Sequence, residues 1–348
     1  MRKTTGQVLV GDLLIGGGAP VSIQSMLNRP SEDIEGNVLQ AKELEAAGCQ
    51  MVRVALPDCS SVLLVEAIKK AVSIPVVADI HFDYRIALEA VAAGADKIRI
   101  NPGNIGGKDR VKKVVKACQN HKIPIRIGVN SGSIEKKILE RFGGSSAEAM
   151  VESAAGHVKL LEEEGFFDIV LSLKSSDLHT NIKAYRMASK QFDYPLHLGV
   201  TEAGGERLGL IKSAIGIGSL LSDGIGDTIR VSLTADPVLE IQAAKDILRV
   251  LGHPGYGVQI ISCPTCGRTR IDVIGIANEL EKHLGNCKKN LTVAIMGCVV
   301  NGPGEAAHAD IGIAGGNGSG VLFVKGKIIQ KLRQDDLLDA LLSKIEEF

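Results

Sequence analysis

Two cysteines stand three apart in Cys263-Pro-Thr-Cys266-Gly, and a third, Cys298, follows in Gly-Cys-Val-Val-Asn-Gly-Pro-Gly-Glu305. A thiolate knuckle with a distant third thiol holds soft metals or iron–sulfur clusters. Three readings compete. A structural zinc ribbon would need a second knuckle, and Cys287 and Cys298 are each followed by residues that do not supply one. Inert buried cysteines suit Cys49, Cys59 and Cys118, on or beside helical segments, better than two thiols in a Pro/Gly knuckle. The third reading is a cluster on Cys263, Cys266 and Cys298 with a non-thiolate fourth ligand, for which Glu305 is the candidate because the glycine-rich loop permits a tight wrap. An oxygen ligand on one iron is exchangeable, which leaves a place for redox or Lewis-acid chemistry. Cys287 and His283, at a charged helix end, read as bystanders.

A cluster of this kind needs a substrate site, and the first 250 residues offer one. Short β-branched runs at 21–24, 51–55, 74–80, 97–100, 124–129, 168–173, 196–200 and 228–233 alternate with helical periods at 35–47, 61–71, 84–93, 109–120, 147–164, 178–191, 207–221 and 237–251. Eight strands alternating with eight helices predict a (β/α)₈ TIM barrel; a doubly wound open sheet is the competing architecture. A hairpin over 7–15, turning at Gly11-Asp12, is expected to plug the barrel floor.

Polar residues recur at or near the carboxyl end of each expected strand: Gln24-Ser25, Arg53, Asp79-Ile80-His81, Arg99-Ile-Asn101, Arg126 with Asn130-Ser131, Lys174, Thr201-Glu202, and Arg230 with Ser232. In a barrel these converge on one mouth. Five cations there, Arg53, Arg99, Arg126, Lys174 and Arg230, with His81, call for a phosphate-rich anion. Any one arginine at a strand end is more often a local salt bridge, but several in register across eight strands shift the reading toward a site; Lys174 taken singly fits an imine-forming lysine. Glu202 reads either as a partner of Lys174 or as a proton donor or acceptor.

After a Gly/Pro-rich linker at 252–257 the alternation changes. The expected domains are a barrel over 1–252 and a small α+β iron–sulfur module over 258–348, with strands at 258–261, 291–296, 310–314, 320–324 and 327–329 and helices at 273–284 and 335–346. Lys+Arg and Asp+Glu both number 40, so no basic field points to nucleic acid or an anionic membrane. Aromatic residues are 3% of the chain, which argues against base-stacking surfaces. No apolar run is long enough for a signal peptide or a membrane span, and seven scattered cysteines fit a reducing cytoplasm.

The barrel-mouth motifs and the Cys-Pro-Thr-Cys … Gly-Cys-Val-Val-Asn-Gly-Pro-Gly-Glu pair together resemble the 4-hydroxy-3-methylbut-2-enyl diphosphate synthase family, in its bacterial two-domain form. Ala78-Asp-Ile-His81, Arg99-Ile-Asn-Pro-Gly-Asn104, Gly128-Val-Asn-Ser131, Thr201-Glu-Ala-Gly204 and Arg230-Val-Ser-Leu-Thr234 carry the likeness end to end. The resemblance implies an iron–sulfur oxidoreductase of the methylerythritol phosphate (non-mevalonate) route to isoprenoids. Its reaction would open 2-C-methyl-D-erythritol 2,4-cyclodiphosphate reductively, with two electrons entering and water leaving. It further implies a [4Fe-4S] cluster on Cys263, Cys266, Cys298 and Glu305, with Glu305 giving way to the substrate. Arg53, His81, Arg99, Asn101, Arg126, Asn130, Lys174, Arg230 and Ser232 would bind the diphosphate, and Glu202 would handle protons. Implied partners are flavodoxin or ferredoxin as electron donor and a second copy of the chain, each cluster module capping the other's barrel. The remaining alternatives are a zinc-clamped, non-redox lyase or aldolase using Lys174, and a non-catalytic iron–sulfur carrier.

Overall fold

In the computed structural model the described residues are 2–285, 287, 289–298 and 306–348. The chain separates into two compact units, Met1–Ile247 and Leu248–Phe348, the division falling a few residues ahead of the Gly/Pro-rich linker.

The first unit opens with an antiparallel hairpin, β1 (Gln7–Val10) and β2 (Leu13–Gly16), turning at Gly11, whose φ of +55° suits glycine. Eight parallel strands follow: β3 (Ser22–Met26), β4 (Met51–Ala55), β5 (Val76–Asp79), β6 (Lys97–Ile100), β7 (Ile125–Asn130), β8 (Ile169–Lys174), β9 (His197–Leu198) and β10 (Thr228–Ile229). Their order in the sheet is β8-β7-β6-β5-β4-β3-β10-β9, and a parallel bridge from Leu171 to Leu196 joins the two ends into a barrel. The open doubly wound alternative is excluded. β9 and β10 are shorter than their apolar runs, because the chain leaves ladder geometry at Gly199 and after Ile229 to form the mouth loops. A helix at Lys136–Phe142 escapes the periodic reading because it contributes no buried residue.

Alternate residues of each strand face the barrel axis, and their character changes along it. At the amino-terminal end Met51, Val77 and Val170 pack with Val8, Val10 and Ile15 of the hairpin. The hairpin therefore seals the floor, as its alternation implies. Two residues further along the same three strands stand Arg53, Asp79 and Ser172. An apolar floor beneath a polar mouth is thus built into one strand period.

The second unit is a five-stranded sheet: β11 (Gln259–Ser262), β12 (Thr292–Met296), β13 (Ile311–Gly315), β14 (Ser319–Val324) and β15 (Lys327–Arg333), in chain order, the first three parallel and the last two pairings antiparallel. Val293, Ile295 and Ile313 bury one face against Val273, Leu280 and Leu284 of the helix Val273–Leu284 and Leu337, Leu341 and Ile345 of the helix Leu337–Glu346. The other face carries Ala294, Met296, Ala314 and Phe323, with Ala306, Ala309 and partly buried Cys263 packed on it.

Candidate functional site

At the carboxyl end of the barrel a cavity of ≈ 90 Å³ is lined by Arg53, Arg99, Arg126, Asn130, Ser172, Lys174, Thr201, Arg230 and Ser232. All five cations expected at the mouth reach it. So do Asn130 and Ser232. His81 stands beside it, half exposed, with Nε2 3.3 Å from Asp79 Oδ2. Asn101 is placed elsewhere: buried, it accepts from the backbone of Gly103 at 3.1 Å and lies 3.4 Å from Ser133 Oγ, bracing the loop after β6. Glu202 is exposed and does not line the cavity, but it follows Thr201, which does. Its φ of +52° is left-handed, a conformation that costs a non-glycine residue roughly 1 kcal/mol and concentrates at functional sites.

Five cations in one small cavity need a framework, and two buried carboxylates supply it. Asp79, fully buried, receives Arg53 Nη2 at 2.6 Å and Arg99 Nη1 at 3.0 Å. Burial works against its charge, but Arg53, the His81 contact and Arg99 outweigh that and hold the carboxyl well below its ordinary range. Glu240, at the start of the helix Pro237–Val250, accepts from the Leu233 backbone at 2.9 Å and faces Arg230 Nη2 at 3.5 Å. The sequence places Asp79 at the mouth without assigning it a role, and gives no sign of Glu240. A lone Asp closing the apolar run Val76-Val77-Ala78 was the available signal for the first.

Two carboxylates leave the cations in excess. Arg126 is fully buried, and its Nε and Nη1 have no protein partner; the Nε atoms of Arg53, Arg99 and Arg230 also lack one. Burial, then Arg53 and Arg99, push against the Arg126 charge. A guanidinium does not give up its proton at ordinary pH, so relief has to come from an anion. Lys174 is also wholly buried; burial first, then Arg126, Arg230, Arg53 and Arg99, drive its ammonium well below the usual lysine range. Two glycines make room for these cations. A Cβ on Gly128 would fall 2.6 Å from Arg99 Nε, and one on Gly199 would fall 2.8 Å from Lys174 Nζ.

In the second unit Cys263 and Cys266 follow β11, and Cys298 follows β12, its parallel neighbour. The two thiol-bearing loops therefore leave adjacent strands at the same edge. Cys263 Sγ accepts from the Gly297 backbone N–H at 3.1 Å. The Arg268 backbone and side chain and the Thr269 hydroxyl favour the Cys266 thiolate, lowering its pKa. Among the described residues no three of His, Cys, Asp and Glu converge to hold a metal ion. Glu305 lies outside the described residues. The donor set still fits an iron–sulfur group: soft sulfurs on neighbouring loops, one accepting a backbone N–H and one biased toward thiolate.

A closed parallel barrel with a phosphate-sized cationic mouth, followed by a thiol-bearing module, defines a two-domain TIM-barrel enzyme. The family models for the GcpE TIM-barrel domain and the GcpE protein C-terminal domain match residues 5–245 and 259–347, and the chain belongs to this family. It is 57% identical over 345 residues to the 4-hydroxy-3-methylbut-2-en-1-yl diphosphate synthase (flavodoxin) of Clostridium perfringens, covering 99% of each chain. Against the enzyme of the same name from Listeria monocytogenes it is 54% identical over 345 residues, covering 99% of this chain and 94% of the other. Among solved structures it is similar to dihydropteroate synthase from Stenotrophomonas maltophilia (TM-score 0.53, 13% identity, 72% of this chain and 100% of the other). A comparable match is 3-dehydroquinate dehydratase from Geobacillus kaustophilus (TM-score 0.53, 14% identity, 72% and 98%). At these identities the structural likeness speaks for the barrel alone.

Proposed function

We propose that the protein catalyses the reductive opening and dehydration of 2-C-methyl-D-erythritol 2,4-cyclodiphosphate to 4-hydroxy-3-methylbut-2-enyl diphosphate, in isoprenoid precursor synthesis. The observation that carries this is the cation-lined barrel mouth in a chain that matches enzymes of that name from end to end. Arg53, Arg99, Arg126, Lys174 and Arg230 grip the diphosphate oxygens, with Asn130 and Ser232 donating beside them. Asp79 and Glu240 hold Arg53, Arg99 and Arg230 in place before the anion arrives, so little ordering is left for the binding step. His81 sits at the rim on Asp79. Glu202 moves a proton from its strained position beside Thr201. Asn101 acts by fixing the loop after β6.

Cys263, Cys266, Cys298 and Glu305 would hold a [4Fe-4S] cluster, which would relay the donor's two electrons one at a time. The donor is a flavodoxin, the word that stands in these relatives' names, or a ferredoxin. All seven cysteines are free, which supports a reducing cytoplasm, and no helix of the described residues is long and apolar enough to cross a membrane. The working unit is a homodimer in which each cluster module, 258–348, serves its partner's barrel, 1–252. Support comes from the helix Glu206–Ser222, which exposes Leu208, Ile211 and Ile215 as one apolar stripe.

The test is an anaerobic assay with the cyclodiphosphate and a one-electron reductant, alongside iron and sulfide analysis. Turnover to the linear allylic diphosphate by a protein carrying about four irons is expected. A zinc-loaded, colourless protein that is inactive after cluster reconstitution would overturn the assignment.

A further inference from the structure

Beneath the anion cavity lies a second polar level that the proposed reaction does not use. His197 of β9 is completely buried, and its Nε2 is 3.5 Å from Lys174 Nζ. The strand beneath the ring is fixed through its backbone: Tyr185, from the helix Leu178–Gln191, donates its hydroxyl hydrogen to the His197 main-chain carbonyl at 2.6 Å. Gly199, two residues on, leaves the gap that Lys174 Nζ occupies. The lysine head is thus boxed between a glycine and an imidazole.

His197 Nδ1 has no protein partner. Its register neighbour on β10 is Thr228, whose own neighbour on β3 is Ser22. The hydroxyls of Thr228 and Ser22, and both amide atoms of Gln24, likewise lack protein partners. A belt of buried polar groups like this is the kind that houses internal water, which can accept from an Nδ1–H.

Charge decides which nitrogen of the ring carries the proton. Facing the pair are Arg53 from β4, Lys97 and Arg99 from β6, Arg126 from β7 and Arg230 just after β10; the carboxylates among them are Asp79 and Glu240, already engaged with arginines. Burial, then Arg126, Lys174 and Lys97, hold His197 far below the usual histidine range. A neutral imidazole has one donor and one acceptor. An ammonium at Lys174, stabilised by a bound polyanion, offers only donors, so it can meet only an unprotonated Nε2.

We propose that His197 is the positioning residue for Lys174: with a polyanion in the cavity, Lys174 is an ammonium donating to His197 Nε2, and His197 keeps its proton on Nδ1 against the buried polar belt. The role is orientation. Of the three ammonium hydrogens one is committed downward to His197, which leaves two directed at the anion. The inference rests on the cavity being a diphosphate site.

The experiment uses full-length protein with inorganic diphosphate as the probe. Wild-type protein labelled with 15N-histidine and saturated with diphosphate should show one ring with a protonated Nδ1 and an acceptor Nε2 throughout pH 6–8, its signal assigned by loss in a His197→Gln variant. In parallel, titration calorimetry should show diphosphate affinity within about 3-fold of wild type for His197→Gln, whose amide oxygen can accept from Lys174, and weaker by about 10-fold for His197→Phe, the scale of one hydrogen bond to a charged group. The pH dependence of affinity should shift only in the Phe variant. A protonated Nε2 in the complex overturns the proposal, as does a His197→Phe protein that binds like wild type or a Gln variant as impaired as the Phe variant. Should His197→Phe not fold, the ring signal and the Gln variant decide. Absence of diphosphate binding by the wild type would remove the cavity reading and this inference with it, whereas tight binding with the wrong tautomer removes this inference alone.

Discussion

Gly128 and Arg99 occupy the same space in turn: a methyl group on Gly128 would fall 2.6 Å from Arg99 Nε and 2.9 Å from Nη2. Arg99 is almost fully buried and is tied to Asp79, its register partner on the neighbouring strand, so it has little room to withdraw. Gly128→Ala should therefore displace the guanidinium and break its contact with Asp79. The expected result is a loss of about 2 kcal/mol in diphosphate binding, roughly 30-fold, the range for a hydrogen bond to a charged group. Calorimetry with inorganic diphosphate measures it. Unchanged affinity would mean that Arg99 does not hold the anion.

Asp79→Asn tests the framework. The carboxylate receives two arginines inside the barrel, and removing one partner of such a group leaves buried charge uncompensated, which costs about 3–5 kcal/mol. The variant should melt well below wild type, and added diphosphate should raise its melting temperature by more than it raises that of the wild type, because the anion replaces the missing charge. An equal ligand-induced rise in both proteins would sink this account.

Lys174 works in the opposite direction. A buried cation whose pKa is driven down opposes folding wherever the unfolded chain would be protonated, below about pH 10. Lys174→Met should accordingly stabilise the ligand-free protein, raising its melting temperature by about 2–4 °C per kcal/mol recovered, and should weaken diphosphate binding by at least tenfold. The two effects of opposite sign separate a binding lysine from a structural one. A variant that both melts lower and binds normally would contradict it.

Much of this was legible in the residues. Short apolar, β-branched runs and regular helix spacing located eight strands, since parallel strands buried on both faces write their positions as apolar runs, and short-range alternation located the floor hairpin. The five cations were legible because they recur in register at the strand ends, although any one of them alone reads as a salt bridge. What escaped were residues whose role depends on three dimensions. Asp79 and Glu240 neutralise arginines from other strands. His197 reads as an ordinary strand histidine until its contact with Lys174 is seen. Gly128 and Gly199 matter only through the side chains that pass over them. Asn101, expected on the substrate, also braces the loop after β6, which motif order alone does not reveal.

The loop after β7 carries an acid-sensitive tie. Glu135 meets His157 Nε2 at 2.8 Å and accepts from Ser153 Oγ at 2.7 Å. Burial alone would raise its carboxyl, but the bonds from His157 and Ser153 bring it down to about 2. A depressed carboxyl contributes stability that is present above its unfolded pKa, about 4.3, and is lost as pH falls toward 2. With the side chain about a third exposed, solvent screening limits the effect to about 1 kcal/mol. Between pH 4.5 and 2, urea midpoints should fall more steeply for wild type than for Glu135→Gln. Parallel slopes would show that the tie carries no such linkage.

The thiol module makes the sharpest division between binding and redox chemistry. Cys266 is exposed and biased toward thiolate by Arg268 and Thr269, while the diphosphate cavity is lined wholly by barrel residues. Cys266→Ala should therefore abolish turnover and cut iron content below half, yet leave inorganic diphosphate affinity within about twofold, because no residue of the thiol module lines the cavity. Glu305→Ala should differ in kind: an oxygen ligand contributes less to holding a cluster than thiolate does, so iron is retained while turnover falls by at least an order of magnitude. Iron analysis, visible absorption and calorimetry on the same preparations distinguish the two variants. If Cys266→Ala kept full iron and full activity, the knuckle would be a structural turn and the electrons would have to enter elsewhere.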